Sequence, residues 1–188
     1  MEIKLTQGTK EWLSWRDTII TGTDAAVIMK LNPWVTARDL LQRKLSLISP
    51  IEENDLMRRG KELEPVALRE FEMLTNLVME PVCWQNDRYR WIGASVDGVN
   101  LLRTKALEIK CGSEKLHQLA KKHILPPYYK AQVQHIMLCL GLEWMYYMSF
   151  RGEGVIVEVE RDDEFCEELL DKSYKFWQRM MNFDFEGL

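Results

Sequence analysis

The order of helix-like and strand-like segments along the chain is the feature that most restricts its fold. Residues 8–74 carry apolar positions at helical spacing, residues 77–111 contain three strand-like runs, and residues 144–160 contain two more. Helical patterns fill residues 113–140 and 163–182. Because helices separate the two groups of strands, we predict a layered α/β domain in which a mixed central β-sheet is flanked by helices.

The length and composition of the chain are those of a single domain. With 188 residues, 46% of them hydrophobic, it can build one sizeable core. We therefore expect one domain over 1–188, with a helical amino-terminal part (1–75), a sheet with helices (76–160) and an acidic carboxy-terminal helix (161–188). No run approaches the roughly 18 apolar residues of a membrane span, and no leader is visible, so we expect a soluble, cytoplasmic protein.

The four cysteines lack the close spacing of metal-binding cysteines. Neighbouring ones are separated by 27 or 28 residues, without a CxxC or CxH pair. This spacing is a poor match to zinc or iron–sulfur ligation, so we expect reduced and mostly buried thiols at Cys83, Cys111, Cys139 and Cys166.

The charge of the chain is unevenly distributed. The net charge is -4, but the segment from Glu153 to Asp171 contains nine acids and one base, so the remainder is mildly basic. Local patches, rather than net charge, set the field at a surface. The negative total therefore leaves binding to a polyanion open.

Two predicted strands contain an unusual set of charged residues. Glu108 and Lys110 are two positions apart, so they project from the same face of a strand. Asp97 ends the preceding strand, and a hairpin turning near Asn100 would bring its carboxylate beside Glu108. Neighbouring carboxylates repel unless a cation lies between them, and a hard divalent ion such as Mg²⁺ or Mn²⁺ prefers oxygen ligands. The alternative is an edge-strand salt bridge without catalytic function.

Three further features favour catalysis. Glu64 lies on a predicted helix just before the strands and could supply a third carboxylate. Tyr128, Gln132 and His135 lie near one face of a later helix, where the alternative is an ordinary polar face. An amino-terminal helix ends in Arg16, and two hydroxyl residues follow it.

These pieces occur in a recognisable order. WLSWR with ITGT, then GKELE, SVDG, LEIKC and YYKAQVQ span about residues 8–160 and resemble the lambda exonuclease family of YqaJ-like phage recombination exonucleases, within the PD-(D/E)XK superfamily. The resemblance implies a single-domain restriction-endonuclease-like fold. Two departures are visible: Val96 replaces the proline that names the superfamily, and the chain is shorter than the lambda enzyme.

The resemblance also implies roles for individual residues. Asp97, Glu108, the backbone carbonyl of Ile109 and Glu64 would hold one or two Mg²⁺ ions, with Mn²⁺ as a possible substitute. Lys110 would activate water, and Gln132 would position the water or the lysine. Arg16, Thr23 and Ser95 would grip a terminal 5′-phosphate, since the planar fork of arginine matches phosphate oxygens.

Other positions are expected to contact DNA. Leu56 and Met57 correspond to an apolar wedge that parts the first base pairs, with ordinary helix packing as the alternative. Basic side chains expected to face DNA are Arg58, Arg59, Lys61, Lys115, Lys121 and Lys122. Family members form trimeric rings around duplex DNA, so a homotrimer is expected by resemblance.

The predicted function is a metal-dependent 5′→3′ exonuclease acting on linear double-stranded DNA, encoded by a phage or prophage. It would leave a 3′ single strand for a single-strand annealing protein during recombination. The alternatives are a structure-specific endonuclease or CRISPR-adaptation nuclease of the same superfamily, and a non-catalytic protein that binds DNA ends. The scattered cysteines argue against the CRISPR type, whose members carry clustered cysteines.

Overall fold

The computed structural model describes residues 1–49 and 52–188. Within these residues the chain forms one six-stranded sheet and seven helices, which confirms the layered α/β prediction. The strands are β1 Glu2–Ile3, β2 Met79–Gln85, β3 Gly93–Asn100, β4 Ala106–Lys110, β5 Trp144–Phe150 and β6 Gly154–Glu160. The helices are α1 Lys10–Thr18, α2 Gly22–Ile28, α3 Ala37–Lys44, α4 Asp55–Thr75, α5 Glu114–Ala120, α6 Pro127–Leu140 and α7 Asp163–Asn182.

The sheet is mixed, and its strand order follows the chain from β1 to β6. Neighbouring strands are antiparallel except β4 and β5, which run parallel with Leu107 opposite Tyr146. A parallel pair needs a long connection, and α5 and α6 provide it. This crossover brings α6 back across the sheet.

Helices cover both faces of the sheet. Side chains of β4 on one face contact α4, and those on the other face contact α6. On one face, Ala67 and Phe71 of α4 pack against Leu107 and Ile109. On the other face, α6 packs against a cluster that includes Ala106. Because side chains alternate along a strand, Glu108 and Lys110 lie on the α6 side.

Several predicted boundaries were wrong. The amino-terminal part is not wholly helical, because the two-residue strand β1 pairs with β2, with Glu2 opposite Trp84. A strand this short has no detectable alternation. The sequence predicts a longer helix over residues 53–74, weakened at Gly60 and Pro65, with a change from a first short helix to a second at Gly60-Lys61; α4 instead continues through all of these positions. The sequence has a strand-like run over residues 87–98, but β3 begins only at Gly93, because Asn86 Oδ1 accepts two backbone N–H groups and forms a turn.

The apolar spacing of residues 163–182 predicts that the inner stripe of α7 is formed by Phe165, Leu169, Leu170, Tyr174, Trp177 and Met181. The observed stripe is rotated from it. The buried residues are Cys166, Leu169, Ser173, Phe176 and Met180. Two members of the predicted stripe, Tyr174 and Met181, are exposed.

The thiols behave as expected. All four cysteines are free, and Cys83, Cys139 and Cys166 are buried while Cys111 is half-buried. Over the described ranges, no helix combines the length and the apolar character that crossing a membrane requires.

A buried ion pair fixes the connection between α1 and α2. Lys44 Nζ lies 2.7 Å from Asp24 Oδ2, and both side chains are almost inaccessible to solvent. The same ammonium donates to the carbonyl oxygens of Arg16 and Ile19 at 2.6 and 2.8 Å. Burial alone would raise the pKa of Asp24, but Lys44 and Arg16 outweigh it and lower that pKa. Asp24 also accepts from the Thr21 N–H and closes the capping box that begins α2 at Gly22. The sequence favours Thr23 as the cap, since an acid follows it, but Thr21 takes that position.

We predict that Lys44→Met lowers the free energy of unfolding by about 3–5 kcal/mol, because it leaves the Asp24 charge buried without a partner. Urea denaturation at pH 7 measures this. Adding Asp24→Asn to that variant should restore part of the loss. Because the folded pKa of Asp24 is lowered, its stabilising contribution is present above the unfolded value of about 3.9 and disappears as the pH falls through the folded pKa. Equal stability of Lys44→Met and the parent would contradict the prediction.

Candidate active site

A β-bulge positions the first of the predicted catalytic carboxylates. Glu80 and Val82 of β2 face Val99 and Val96 of β3, so three residue steps on β3 oppose two on β2. The extra residue falls at Asp97 and Gly98. A Cβ atom on Gly98 would approach Met79 Cβ to 2.9 Å, which explains why glycine follows the aspartate. Bulges bend a strand and redirect its side chains.

The redirected carboxylate replaces a backbone acceptor. The ladder between β3 and β4 pairs Val99 with Ala106 and Gly98 with Leu107. Beyond the ladder, the N–H of Ile109, two residues after Leu107, donates to Asp97 Oδ2 at 2.7 Å. The hairpin therefore places Asp97 beside Glu108, as the sequence predicted.

Glu108 is the centre of the site. Its Oε1 accepts a hydrogen bond from Lys110 Nζ at 2.5 Å and another from Gln132 Nε2 at 2.6 Å. The Glu108 side chain is only 2% exposed and that of Lys110 24% exposed. An edge-strand salt bridge in bulk solvent is therefore not what the structure contains. Tyr129 adds a ring whose centroid lies 5.4 Å from the Lys110 ammonium.

The acids of the site perturb one another. Burial raises the pKa of Asp97 well above its usual range, and the charges of Glu108 and Glu64 raise it further. Burial and the charge of Glu108 also raise the pKa of Glu64, which extends from α4. Burial would lower the pKa of Lys110, but Glu108 and Asp97 reverse this and raise it. Lys110 is therefore an ammonium at neutral pH. Clustered groups with shifted pKa values are typical of functional sites.

The oxygens of these carboxylates are suitable ligands for a hard cation, although they do not form a complete coordination shell. Among the described residues, no three His, Cys, Asp or Glu side chains are grouped as metal ligands. One oxygen of Glu108 accepts hydrogen bonds from Lys110 and Gln132 instead, and one oxygen of Asp97 accepts from the Ile109 N–H. Glu108 Oε2, in contrast, is buried without a hydrogen-bond partner. Such an oxygen needs a donor or a cation. Asp97, Glu108 and Glu64 could supply the oxygen ligands that Mg²⁺ or Mn²⁺ prefers.

A second polar cluster contains the residues predicted to hold a 5′-phosphate. Arg16 Nη2 donates to Thr23 Oγ1 at 2.8 Å, and the guanidinium lies 4.5 Å from the centroid of Trp12. Trp12 Nε1 donates to Ser95 Oγ at 2.7 Å. Arg16, Thr23 and Ser95 are thus joined through Trp12, which the sequence analysis placed in a motif but gave no role.

The two clusters adjoin each other. Ser95 precedes Asp97 by two residues on β3. Gly22, the residue before Thr23, packs so closely on α6 that a Cβ atom there would lie 3.1 Å from Gln132 Cγ. Gln132 in turn donates to Glu108. A close helix contact and a shared strand therefore connect the arginine cluster to the carboxylates.

The predicted DNA-contacting residues of α4 are exposed. Leu56 is 72% and Met57 44% exposed, so ordinary helix packing does not explain them in this chain. Met57, Lys61 and Glu64 follow helical spacing and share one side of α4. Lys61 pairs with Glu53 at 2.6 Å and Arg58 with Asp55 at 3.1 Å.

The remaining basic positions are also at the surface. Arg59, Lys115, Lys121 and Lys122 are exposed, and Lys121 pairs with Glu153. None of these side chains forms a described hydrogen bond with the carboxylate cluster, and their role in DNA binding stays a prediction.

The polar residues of α6 are buried rather than solvated. His135 Nε2 lies 3.0 Å from the Gly93 carbonyl oxygen. Gln134 points away from the carboxylates and donates to the Glu160 carbonyl. Of the predicted set only Gln132 reaches the carboxylates, while Tyr128 contacts Trp34 and Tyr129. The alternative of an ordinary polar face was therefore wrong.

Comparison with known proteins agrees with this geometry. Residues 11–143, most of the chain, match the model of the YqaJ-like viral recombinase domain. This chain belongs to that family. The uncharacterized protein YqaJ of Bacillus subtilis strain 168 is 30% identical over an alignment of 175 residues that covers 89% of this chain and 54% of YqaJ. This YqaJ-like chain therefore spans about half the length of the curated relative that it matches.

Solved structures share the fold of the YqaJ-like chain. The exonuclease LHK-Exo in complex with dAMP is 25% identical, with a TM-score of 0.80 and coverage of 94% of both chains. A second structure of this alkaline exonuclease, from Laribacter hongkongensis, is 24% identical with the same TM-score and coverage. A phage-related exonuclease from Haemophilus somnus 129PT is 14% identical and matches with a TM-score of 0.59, covering 87% of this chain and 95% of that one. The fold is thus that of lambda-exonuclease-like PD-(D/E)XK nucleases.

We predict that Asp97→Asn raises the free energy of unfolding of metal-free protein by roughly 1 kcal/mol, because a buried charge beside two like charges is removed. Asparagine keeps an oxygen for the Ile109 N–H. The measurement is urea denaturation in EDTA at pH 7. Asp162→Asn is the matched control and should lower stability, because asparagine can still cap α7 but loses the ion pair with Lys130 and the negative charge favoured at a helix N-terminus. A loss of stability in Asp97→Asn would contradict this account.

Proposed function

We propose that this YqaJ-like chain is a metal-dependent 5′→3′ exonuclease that removes nucleotides from one strand of linear double-stranded DNA. The observation that carries the proposal is the group formed by buried Glu108 with half-buried Asp97 and Lys110, in which one oxygen of Glu108 has no hydrogen-bond partner. The names of the structural relatives and the dAMP bound to one of them support a nuclease. The direction of cleavage and the substrate are our inference from the arginine cluster beside the carboxylates.

In this proposal Asp97, Glu108, Glu64 and the backbone carbonyl of Ile109 hold Mg²⁺ or Mn²⁺. The bound ion supplies Lewis acidity, which lowers the pKa of water and neutralises developing negative charge. Lys110 is held as an ammonium by its acidic neighbours. It can therefore donate to the attacking water or to a phosphate oxygen, which makes orientation and charge neutralisation its main roles. Gln132 limits the movement of Glu108 through their hydrogen bond.

The arginine cluster would define the end of the substrate. A terminal 5′-phosphate carries more negative charge than an internal phosphodiester, and a guanidinium binds two of its oxygens at once. Trp12 packs against Arg16, and Thr23 accepts a hydrogen bond from it, so the fork is partly positioned before DNA arrives. Ser95 offers a hydroxyl beside it. The adjacency of this cluster to Asp97 would place the end of a strand next to the scissile bond.

The exposed residues of α4 would act on the duplex ahead of the site. Leu56 and Met57 are apolar side chains at the surface, as a wedge between base pairs requires. Met57 and Lys61 share the side of α4 that carries Glu64, which would bring the wedge toward the carboxylates. The remaining 3′ strand would pass to an annealing protein, and ring assembly as a homotrimer would retain the duplex. A measured mass in solution tests the assembly.

We predict that the protein degrades linear duplex DNA only when Mg²⁺ or Mn²⁺ is present and leaves covalently closed circles intact. Lys110→Ala should reduce the rate at least 100-fold, because it removes the ammonium beside the reacting phosphate. Release of acid-soluble nucleotides from linear and circular DNA measures both effects. EDTA should abolish the activity, and added Mg²⁺ should restore it.

The outcomes separate the alternatives. Equal cleavage of circular and linear DNA would indicate an endonuclease. Binding to DNA ends without hydrolysis under any divalent ion would indicate a non-catalytic end-binding protein. A full rate in Lys110→Ala would contradict the assigned site.

We predict that Arg16→Ala lowers the ratio of rates on 5′-phosphorylated and 5′-hydroxyl ends roughly 10- to 100-fold, because a hydrogen bond to a charged group contributes about 1.5–3 kcal/mol. The measurement compares the two ends in the same duplex sequence. Arg88→Ala is the matched control, since Arg88 also lies over an aromatic ring, Tyr89, at 5.1 Å but outside the site. An unchanged ratio in Arg16→Ala would remove the end-recognition role.

A further inference from the structure

Trp34 is the most exposed of the large aromatic side chains that the structure describes. It is 72% exposed, on the connection between α2 and α3. Burying a tryptophan is strongly favourable, so a side chain left this open either has no partner to pack on or has a partner that the free protein lacks. Its surroundings distinguish these possibilities.

The backbone around Trp34 is held in place. Asn32 Oδ1 accepts the N–H of Trp34 at 2.8 Å and the N–H of Val35 at 3.0 Å. Pro33 lies between Asn32 and Trp34, and its ring fixes its φ angle. The ring itself meets Tyr128 edge to face, with centroids 5.2 Å apart and an interplanar angle of 68°. The exposed indole is therefore positioned rather than free to rotate into solvent.

A chain of rings connects Trp34 to the candidate active site. Tyr128 lies 4.6 Å from Tyr129, again edge to face, and Tyr129 lies 5.4 Å from the ammonium of Lys110. Three successive contacts thus lead from an open indole to the residue proposed to face the reacting phosphate. Only two rings thus lie between the indole and the ammonium. Lys30, four residues before Trp34, is exposed on the same connection and adds positive charge.

We propose that Trp34 is a stacking platform for an unpaired nucleobase of the DNA held in the active site. The inference rests on the proposed nuclease function, because only a DNA substrate brings a base to this position. An exposed indole offers a flat face to any base, so the contact would be independent of sequence. Holding one unpaired base would keep the separated strand from re-pairing while the neighbouring phosphate reaches Lys110.

The test measures DNA binding in the Lys110→Ala background, so that hydrolysis does not remove the ligand. The probe is a fluorescent duplex with a short unpaired segment at one end, in the presence of Mg²⁺. We expect Trp34→Ala to raise the Kd about 5- to 150-fold, which corresponds to 1–3 kcal/mol for one stacked base. Trp34→Phe should retain part of the affinity. Tyr174→Ala, which removes an exposed ring of α7, is the matched control and should bind as the parent does.

An abasic scan identifies the base and the strand. Replacing single nucleotides by abasic sugars, first in the 5′-ending strand and then in its complement, should weaken binding at one position by the factor that Trp34→Ala causes. That abasic penalty should vanish in Trp34→Ala, because base and indole contribute one shared contact. The sensitive strand shows whether the degraded or the retained strand supplies the base.

Two results would overturn the proposal: Trp34→Ala binding within twofold of the parent, or abasic penalties that persist at every position when Trp34 is absent. Thermal melting of each variant verifies folding. Hydrolysis is measured separately with Lys110 restored. If the abasic penalty depends on Trp34 but the protein with Lys110 hydrolyses no DNA, the nuclease function is refuted and the stacking site is kept. If DNA is hydrolysed but the abasic penalty does not depend on Trp34, the stacking site alone is refuted.

Discussion

The hydrogen bond from the Ile109 N–H to the Asp97 carboxylate is the contact on which the candidate site depends. A regular β-ladder would have satisfied this N–H with a backbone carbonyl and left no place for a charged side chain. The β3–β4 ladder ends at Gly98 and Leu107, beside the bulge in β3, and Gly98 makes the bulge possible by leaving room for Met79. The sheet thus exchanges one backbone contact for a carboxylate beside Glu108. Next to Asp97, Glu108 accepts hydrogen bonds from Lys110 and Gln132.

The electrostatic state of the site follows from the same arrangement. Three acids extend from α4, β3 and β4 toward one lysine, and the surrounding layers exclude much of the water that would screen them. The pKa values of Asp97 and Glu64 rise as a result, while that of Lys110 rises because its neighbours are anions. One ammonium compensates only part of this charge. An additional cation would compensate the remainder, which is the physical basis for assigning a metal to the site.

Sequence alone predicted the layers, five of the six strands, and the pairing of Asp97 with Glu108, since these depend on local periodicity and on one hairpin. It could not predict what depends on distant contacts. The β1 strand has two residues and is recognisable only by its partner β2. The prediction of which α7 residues are buried was wrong, since Ser173 is buried and Tyr174 is exposed. That difference depends on how α7 packs against its neighbours, which its own sequence does not show.

The arginine cluster was predicted only in part for the same reason. Its residue types were recognised from a motif, but the hydrogen bond from Trp12 to Ser95 and the close approach of Gly22 to Gln132 arise from tertiary packing. The bulge itself had a sequence signal in the Asp97-Gly98 pair, although a glycine beside an acid also occurs in ordinary turns.

The exposed acids of α7 form a strongly negative surface. Asp163, Glu164, Glu167, Glu168 and Asp171 all lie at the surface of this one helix. A polyanion that meets this helix first would be repelled before any contact forms, so productive encounters would come from other directions. The repulsion acts over about a Debye length, so added salt would weaken it and widen the range of productive approaches, even if every contact in the bound state stayed the same.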